Sequence, residues 1–315
     1  MDRNRKILDI PAFILIYFFL LTGCDGTSPF STTRGHSTST IAMEASPYFI
    51  ANSTDNSPLW DSFEGITVED LTNKAKASDG ESTFLLGLIQ FGHITGFERE
   101  PDTSEGIRLL QEAWRLGVID AGHSLFTVYY EGIGTRISKP LAQAYLQASA
   151  EKGYILSQKR LGFAYRGSDP RGLVEKDIQQ ARIWFTRAAE QGDAESASQL
   201  AAIYRKGLGV PKDERTAFEW LKRAENMPFD GSISHGGLAV YYEEGIGTEV
   251  DLVQAYKYFD LQGTAGVPDK KRLEAQMTPE QVQQAIALSR AWQEENRTFF
   301  PSYYGLEHQS DGSYR

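Results

Sequence analysis

A leucine, a tyrosine four residues later and then a Gly-x-Gly turn recur along the middle of the chain. The full form appears at Leu125, Tyr129, Gly132 and Gly134, at Leu200, Tyr204, Gly207 and Gly209, and at Leu238, Tyr242, Gly245 and Gly247. Leu161 and Tyr165 begin a degenerate copy, and Leu86 with Gln90 a weaker one. Successive copies are roughly 38 residues apart, a period typical of helical repeats. Positions i and i+4 share a face of an α-helix, so leucine and tyrosine form a core stripe. The glycines follow a helix and not a strand, which makes them helix terminators and turns, not phosphate cradles.

A second helix follows in each copy. Its small residue recurs at Gly106, Ala142, Ala181, Ala217 and Ala255, and three residues later comes Leu109, Tyr145, Trp184, Trp220 or Tyr258. Small against large at fixed positions lets neighbouring helices interdigitate, so these aromatic slots are expected in the core. Four residues before each small residue stand Asp102, Ser138, Asp177, Asp213 and Asp251. All five are good N-cap types, able to accept from free amides of a first helical turn. Thr278-Pro279-Glu280-Gln281 is a further helix start, continued by Val282, Ala285, Ile286 and Leu288 to about Trp292. Phe299, Phe300, Tyr303 and Tyr304 cluster beyond it and read as a strap on the last repeat, with a partner contact as the alternative.

Leu-x-x-x-Tyr-x-x-Gly-x-Gly, then an acid, then Ala-x-x-Trp and Ala-Ala-Glu-x-Gly, resembles the Sel-one-like repeat, a relative of the tetratricopeptide repeat. The copy from Leu200 to Trp220 fits best; the third keeps Ala188-Ala189-Glu190-Gln191-Gly192 but loses its glycine turn around Gly167-Ser168-Asp169. The resemblance covers about residues 67 to 265. It implies an all-α fold, a right-handed superhelical α/α solenoid in which each unit stacks on its neighbours and leaves a face for partners.

The N-terminus reads as an address. Arg3, Arg5 and Lys6 precede an apolar stretch from Ile10 to Leu21, too short to span a bilayer but of the right length for a secretory signal. It ends at Leu21-Thr22-Gly23-Cys24, which resembles the bacterial lipobox, where cleavage precedes the cysteine and the thiol carries diacylglycerol. Cys24 is the only cysteine in the chain. Residues 25 to 56 are rich in serine and threonine without helical periodicity and read as a tether. The expected organisation is a signal peptide at 1–23, lipidated Cys24 and tether at 24–56, five helix pairs at 57–266, a capping helix at 267–293 and a tail at 294–315. The expected location is the periplasm, anchored through the lipid to the cell envelope membrane.

Charge narrows the partner. The 315 residues carry 32 Lys and Arg against 42 Asp and Glu, a net charge of -10. Such a surface repels a phosphate backbone, which argues against nucleic acid as a partner. One cysteine excludes an intrachain disulfide and a thiolate zinc cluster. The histidines at 36, 93, 123, 235 and 308 form no local zinc motif. Gly122-His123-Ser124-Leu125 lacks the closing glycine of a nucleophile elbow, with Phe126 in its place, and no strand precedes it. Ser149-Ala150-Glu151-Lys152 matches Ser-x-x-Lys, but its repeat equivalent is Ala188-Ala189-Glu190-Gln191, so Ser149 fills an alanine slot. No catalytic residue, cofactor or metal is expected.

What remains is a scaffold that binds a protein. Lipid-anchored Sel-one-like repeat proteins resemble immunity partners that neutralise type VI secretion phospholipases of the D type, and the address, tether and acidic solenoid here fit that architecture. An acidic surface speeds capture of a basic effector, mostly through the on-rate. The alternatives are an envelope adaptor for a cell-wall or polysaccharide assembly complex and, far behind, an enzyme of the penicillin-interacting kind.

Overall fold

The structure is a computed structural model in which residues 67–91, 101–225, 227, 235–296 and 298 are described. Cys24, the tether and the aromatic tail lie outside the described residues. Among the described residues there are thirteen α-helices and no strand. The fold is all-α, an α/α solenoid of antiparallel helix pairs.

The described residues divide into two compact units, one ending at Tyr154 and the other beginning at Ile155. The first holds α1 (Val68–Lys76), α2 (Gly80–Gln90), α3 (Thr103–Arg115), α4 (Ile119–Glu131) and α5 (Lys139–Glu151). The second holds α6 (Ile155–Phe163), α7 (Ile178–Glu190), α8 (Ala194–Lys206), α9 (Glu214–Ala224), α10 (His235–Glu244), α11 (Leu252–Asp260), α12 (Val267–Glu274) and α13 (Pro279–Glu295). The repeat pairs are α2 with α3, α4 with α5, α6 with α7, α8 with α9, and α10 with α11.

The core follows the repeat pattern. Leu86, Leu125, Leu161, Leu200 and Leu238 are all buried, as are Ala142, Ala181, Ala217 and Ala255 of the small slot. Burying one such leucine contributes about 1.5–3 kcal/mol, so the repeated pattern drives the stacking. The large slot is more varied: Tyr258 is fully buried and Trp184 nearly so, whereas Trp220 and Tyr145 are half-buried.

Each complete turn uses its two glycines differently. Gly245, at φ +68, sits just past the last residue of α10, where a side chain would be strained. Gly247, at φ +67, lies so close to the start of α9 that a Cβ would collide with the Glu214 carbonyl. Its role is backbone contact with the preceding repeat.

The third pair departs from this pattern. After α6 the chain forms a π-helical turn, Ala164–Ser168, with Gly167 at φ +92. Asp169 then accepts from the Leu173 amide at 2.6 Å and from Arg160 at 2.8 Å. A buried ion pair replaces the missing glycine turn. In the C-terminal region α12 precedes α13. Thr278 and Gln281 form a reciprocal capping box at the start of α13, with Pro279 at the first position.

Candidate protein-binding surface

The five residues chosen as caps all occupy N-cap positions. Asp102 accepts from the Ser104 and Glu105 amides, Asp177 from Gln179 and Gln180, Asp213 from Thr216 and Asp251 from Gln254. Ser138 makes no side-chain cap bond. Pro140, the second residue of its helix, has no amide proton, and the Leu141 amide, at the position Asp213 and Asp251 use, is not bonded by Ser138 either. Two further caps start first helices: Asp79 accepts from Ser82, and the buried Asp193 from Ser196. Val118 holds the corresponding place before α4 without a side-chain bond, so these caps have no period to betray them.

The catalytic look-alikes are built into the packing. The His123 ring lies against Phe126 and Tyr154, at centroid distances of 5.5 and 5.3 Å. Ser149 is fully buried, its Oγ 3.5 Å from the Ile119 carbonyl, while Lys152 rests over the Trp114 ring. No group of histidine, cysteine, aspartate and glutamate able to hold a metal occurs among the described residues, and no described helix is long and apolar enough to cross a membrane.

The recurring aromatics meet face to face within a repeat. Tyr129 stacks on Tyr145 at 5.8 Å and Tyr242 on Tyr258 at 5.7 Å, both nearly parallel. Gln111 donates to the Tyr129 hydroxyl at 3.0 Å.

In the second unit these stacks adjoin charged groups that reach the surface. Glu225, at the end of α9, accepts from Lys222 at 2.6 Å and from the Tyr258 hydroxyl at 2.8 Å, with the Lys257 ammonium 3.5 Å away. Burial pushes the Glu225 carboxyl up, but the hydrogen bonds from Lys222 and Tyr258 and the charges of both lysines outweigh it and hold its pKa below normal. Burial lowers the Lys257 pKa despite the nearby Glu225 carboxylate. Burial and that same carboxylate raise the Tyr258 pKa, which keeps the phenol a donor. His235 lies edge-on to Trp292 at 5.1 Å, and burial drives its pKa down to about 4. Lysine, carboxylate and phenol together can bind polar groups of a partner.

The first helices carry a parallel set of cross-repeat contacts. Arg166 of the third pair donates to Gln199 of the fourth. Arg205 of the fourth lies over the Tyr241 ring of the fifth at 5.1 Å and 3.9 Å from Glu244. Arg272 of α12 pairs with Glu243 and with Asp269. The charged groups of this set are partly exposed, while the Tyr241 ring beneath Arg205 is buried.

Sequence reasoning missed one buried network. Lys270 is 1% exposed and pairs with Asp260 at 2.5 Å; Ser289 donates to the other Asp260 oxygen at 2.6 Å, and Gln293 donates to Ser289 at 3.0 Å. It joins α11, α12 and α13. Nothing in Asp269-Lys270-Lys271-Arg272 marks which cation is buried.

Five matches to the Sel1 repeat model, at residues 80–118, 121–154, 155–193, 194–227 and 234–261, cover more than half of the chain and coincide with the five helix pairs. The chain is a Sel1 repeat protein. Sel1 repeats are protein-interaction modules. Over 209 residues it is 28% identical to the chitin synthase regulator SKT5 of Saccharomyces cerevisiae, a stretch covering 63% of this chain and 29% of that one. Over 150 residues it is 34% identical to human protein sel-1 homolog 2, covering 46% and 21% respectively. The chain thus spans less than a third of the length of these two relatives. A Sel1 repeat protein from Oxalobacter formigenes shares the fold, with a TM-score of 0.54 at 19% identity over 72% of this chain and 100% of that one.

Proposed function

We propose that this Sel1 repeat protein is a non-enzymatic lipoprotein of the bacterial periplasm, anchored through Cys24, which neutralises a type VI secretion phospholipase effector by binding it. The observation that carries the binding role is the use of the chain's distinctive side chains. Its aspartates cap helices, its tyrosines stack, and His123 and Ser149 are packed inside the first unit. The exposed helix faces are left for recognition. The periplasmic address is supported by the basic start, the short apolar run and Leu21-Thr22-Gly23-Cys24. The net charge of -10 supports a basic effector, captured at an electrostatically enhanced rate.

A second reading, an envelope adaptor for a cell-wall or polysaccharide assembly complex, is favoured by one observation. A relative matched over most of this chain's length is named as a chitin synthase regulator.

The mature chain, extracted from membranes in detergent, separates the two readings in a pull-down analysed by mass spectrometry. Stoichiometric recovery of a phospholipase that the pure protein inhibits supports immunity. Recovery of envelope-assembly proteins without a phospholipase replaces immunity with the adaptor.

A further inference from the structure

The large slot of the repeat carries an arginine one turn later in two consecutive copies: Trp184 with Arg187 on α7, and Trp220 with Arg223 on α9. In both, the guanidinium lies over the indole. The Arg187 carbon is 4.6 Å from the Trp184 ring centroid, and the Arg223 carbon is 4.1 Å from that of Trp220. Both arginines are exposed, while Trp184 is buried and Trp220 half-buried. Each ring is therefore a fixed bed and each cation the part that meets solvent.

Three features turn this pair into a recognition element. First, among the described residues neither guanidinium forms an ion pair, although acids outnumber bases by 42 to 32 in the chain. Neighbouring exposed cations are engaged: Arg215 with Glu219, and Lys222 with Glu225. Second, bases outnumber acids within the helical residues of α7 and α9, the Asp177 and Asp213 caps standing at the opposite ends from Arg187 and Arg223 and Glu225 being engaged by Lys222 and Tyr258. α7 carries Arg182 and Arg187 against Glu190, and α9 carries Arg215, Lys222 and Arg223 against Glu214 and Glu219. Third, stacking holds the planar fork in place with its N–H edges free, so little rotamer entropy remains to be lost when a carboxylate binds in bidentate fashion. A position in the last turn of a helix also favours a cation, but that would be met equally by lysine and needs no aromatic bed.

We propose that the second helices of the third and fourth repeats, presenting Arg187 and Arg223, form a docking surface for an acidic segment of a protein partner. The partner's carboxylates are bound bidentately by the two indole-backed guanidiniums, one from each repeat. This rests on the reading of the chain as a protein-binding scaffold and adds the chemistry of the segment recognised. It also divides the surface: the net negative charge governs long-range approach, while a local cationic pair sets register at the point of contact.

The test is fluorescence polarisation with the full mature chain and two labelled peptides of equal length, poly-glutamate and poly-lysine. Saturable binding of poly-glutamate is expected, weakened about tenfold for each arginine lost in Arg187→Gln and Arg223→Gln, the worth of a charge-assisted hydrogen bond. Melting curves establish that the variants are folded. Should the double glutamine variant fail to fold, Arg187→Lys with Arg223→Lys keeps the charges but removes the fork, and is expected to bind several-fold more weakly. Poly-glutamate that does not bind, or binds the variants as tightly as the parent, overturns the proposal. Poly-lysine, which the net charge of -10 also attracts, should bind the variants no more weakly than the parent; a loss there equal to the loss for poly-glutamate also overturns it. A pull-down that still recovers a stoichiometric protein partner would then leave the scaffold reading standing without this site.

Discussion

The backbone amide of Asp213 donates to the carbonyl oxygen of Tyr204 at 2.9 Å. The same bond runs from Ser138 to Tyr129 at 2.9 Å, from Asp177 to Tyr165 at 2.8 Å and from Asp251 to Tyr242 at 2.9 Å. In each copy the residue that opens the second helix is thereby tied to the tyrosine near the end of the first. In the first copy the Asp102 amide reaches the Gln90 side-chain oxygen at 3.2 Å. A glutamine in the tyrosine slot thus closes the turn by another route. The third copy makes the same closure despite its altered turn, so the bond, more than the glycines, defines the repeat.

The caps differ in worth. Asp251→Ala removes the bond to the Gln254 amide and should lower stability by about 1 kcal/mol. Ser138→Ala removes no cap bond and should cost only a few tenths. Denaturant titration of the two variants side by side checks this; equal losses would mean that Ser138 does cap its helix.

The glycines differ as well. Gly117, at φ +97, has nothing within 4 Å of its would-be Cβ, so Gly117→Ala should cost only the left-handed backbone penalty of about 1–2 kcal/mol. Gly247→Ala adds the collision with the Glu214 carbonyl and should cost clearly more. Melting temperatures that fall in the reverse order would contradict the proposed close approach.

Asp120 should make the first unit sensitive to pH. Its side chain is 3% exposed, and burial raises its pKa from 3.8 to about 7, with the Glu81 charge adding to the shift. A raised carboxyl pKa means that the folded state holds the proton more tightly than the unfolded chain. The contribution is fully present below about pH 4 and is lost as the pH rises through about 7. Thermal unfolding of the first unit should occur at a higher temperature at pH 5 than at pH 8, and Asp120→Asn should flatten the difference. An unchanged pH dependence in that variant would assign the effect to another group.

Cys24→Ala should release the protein from membranes and abolish labelling by a palmitate analogue. Continued membrane attachment of the variant would defeat the lipobox assignment.

Much of the fold was legible in the sequence because the repeat writes each contact several times. Leu200 and Tyr204, or Ala217 and Trp220, take their meaning from equivalents in register. What was not legible happens once. Ser138 stands at the cap position yet makes no side-chain bond there, which its residue type does not reveal. Asp193 caps a first helix where Val118, at the same position before α4, makes no such bond. Lys270 is buried because Asp260 and Ser289 converge on it from two other helices, and a charged run gives no sign of that. The candidate surface was half legible: Trp-x-x-Arg stands in plain view at two repeats, but the stacking appears only when the rings and guanidiniums are placed. The Glu225 cluster draws on α9 and α11 and has no linear signature.

The most direct test of the proposed immunity role is to titrate any phospholipase recovered in the pull-down with this protein, following hydrolysis of phospholipid vesicles. The account predicts that activity falls to zero near one equivalent, and that the protein alone hydrolyses nothing. Full phospholipase activity at a large excess, or hydrolysis by the protein itself, would contradict it.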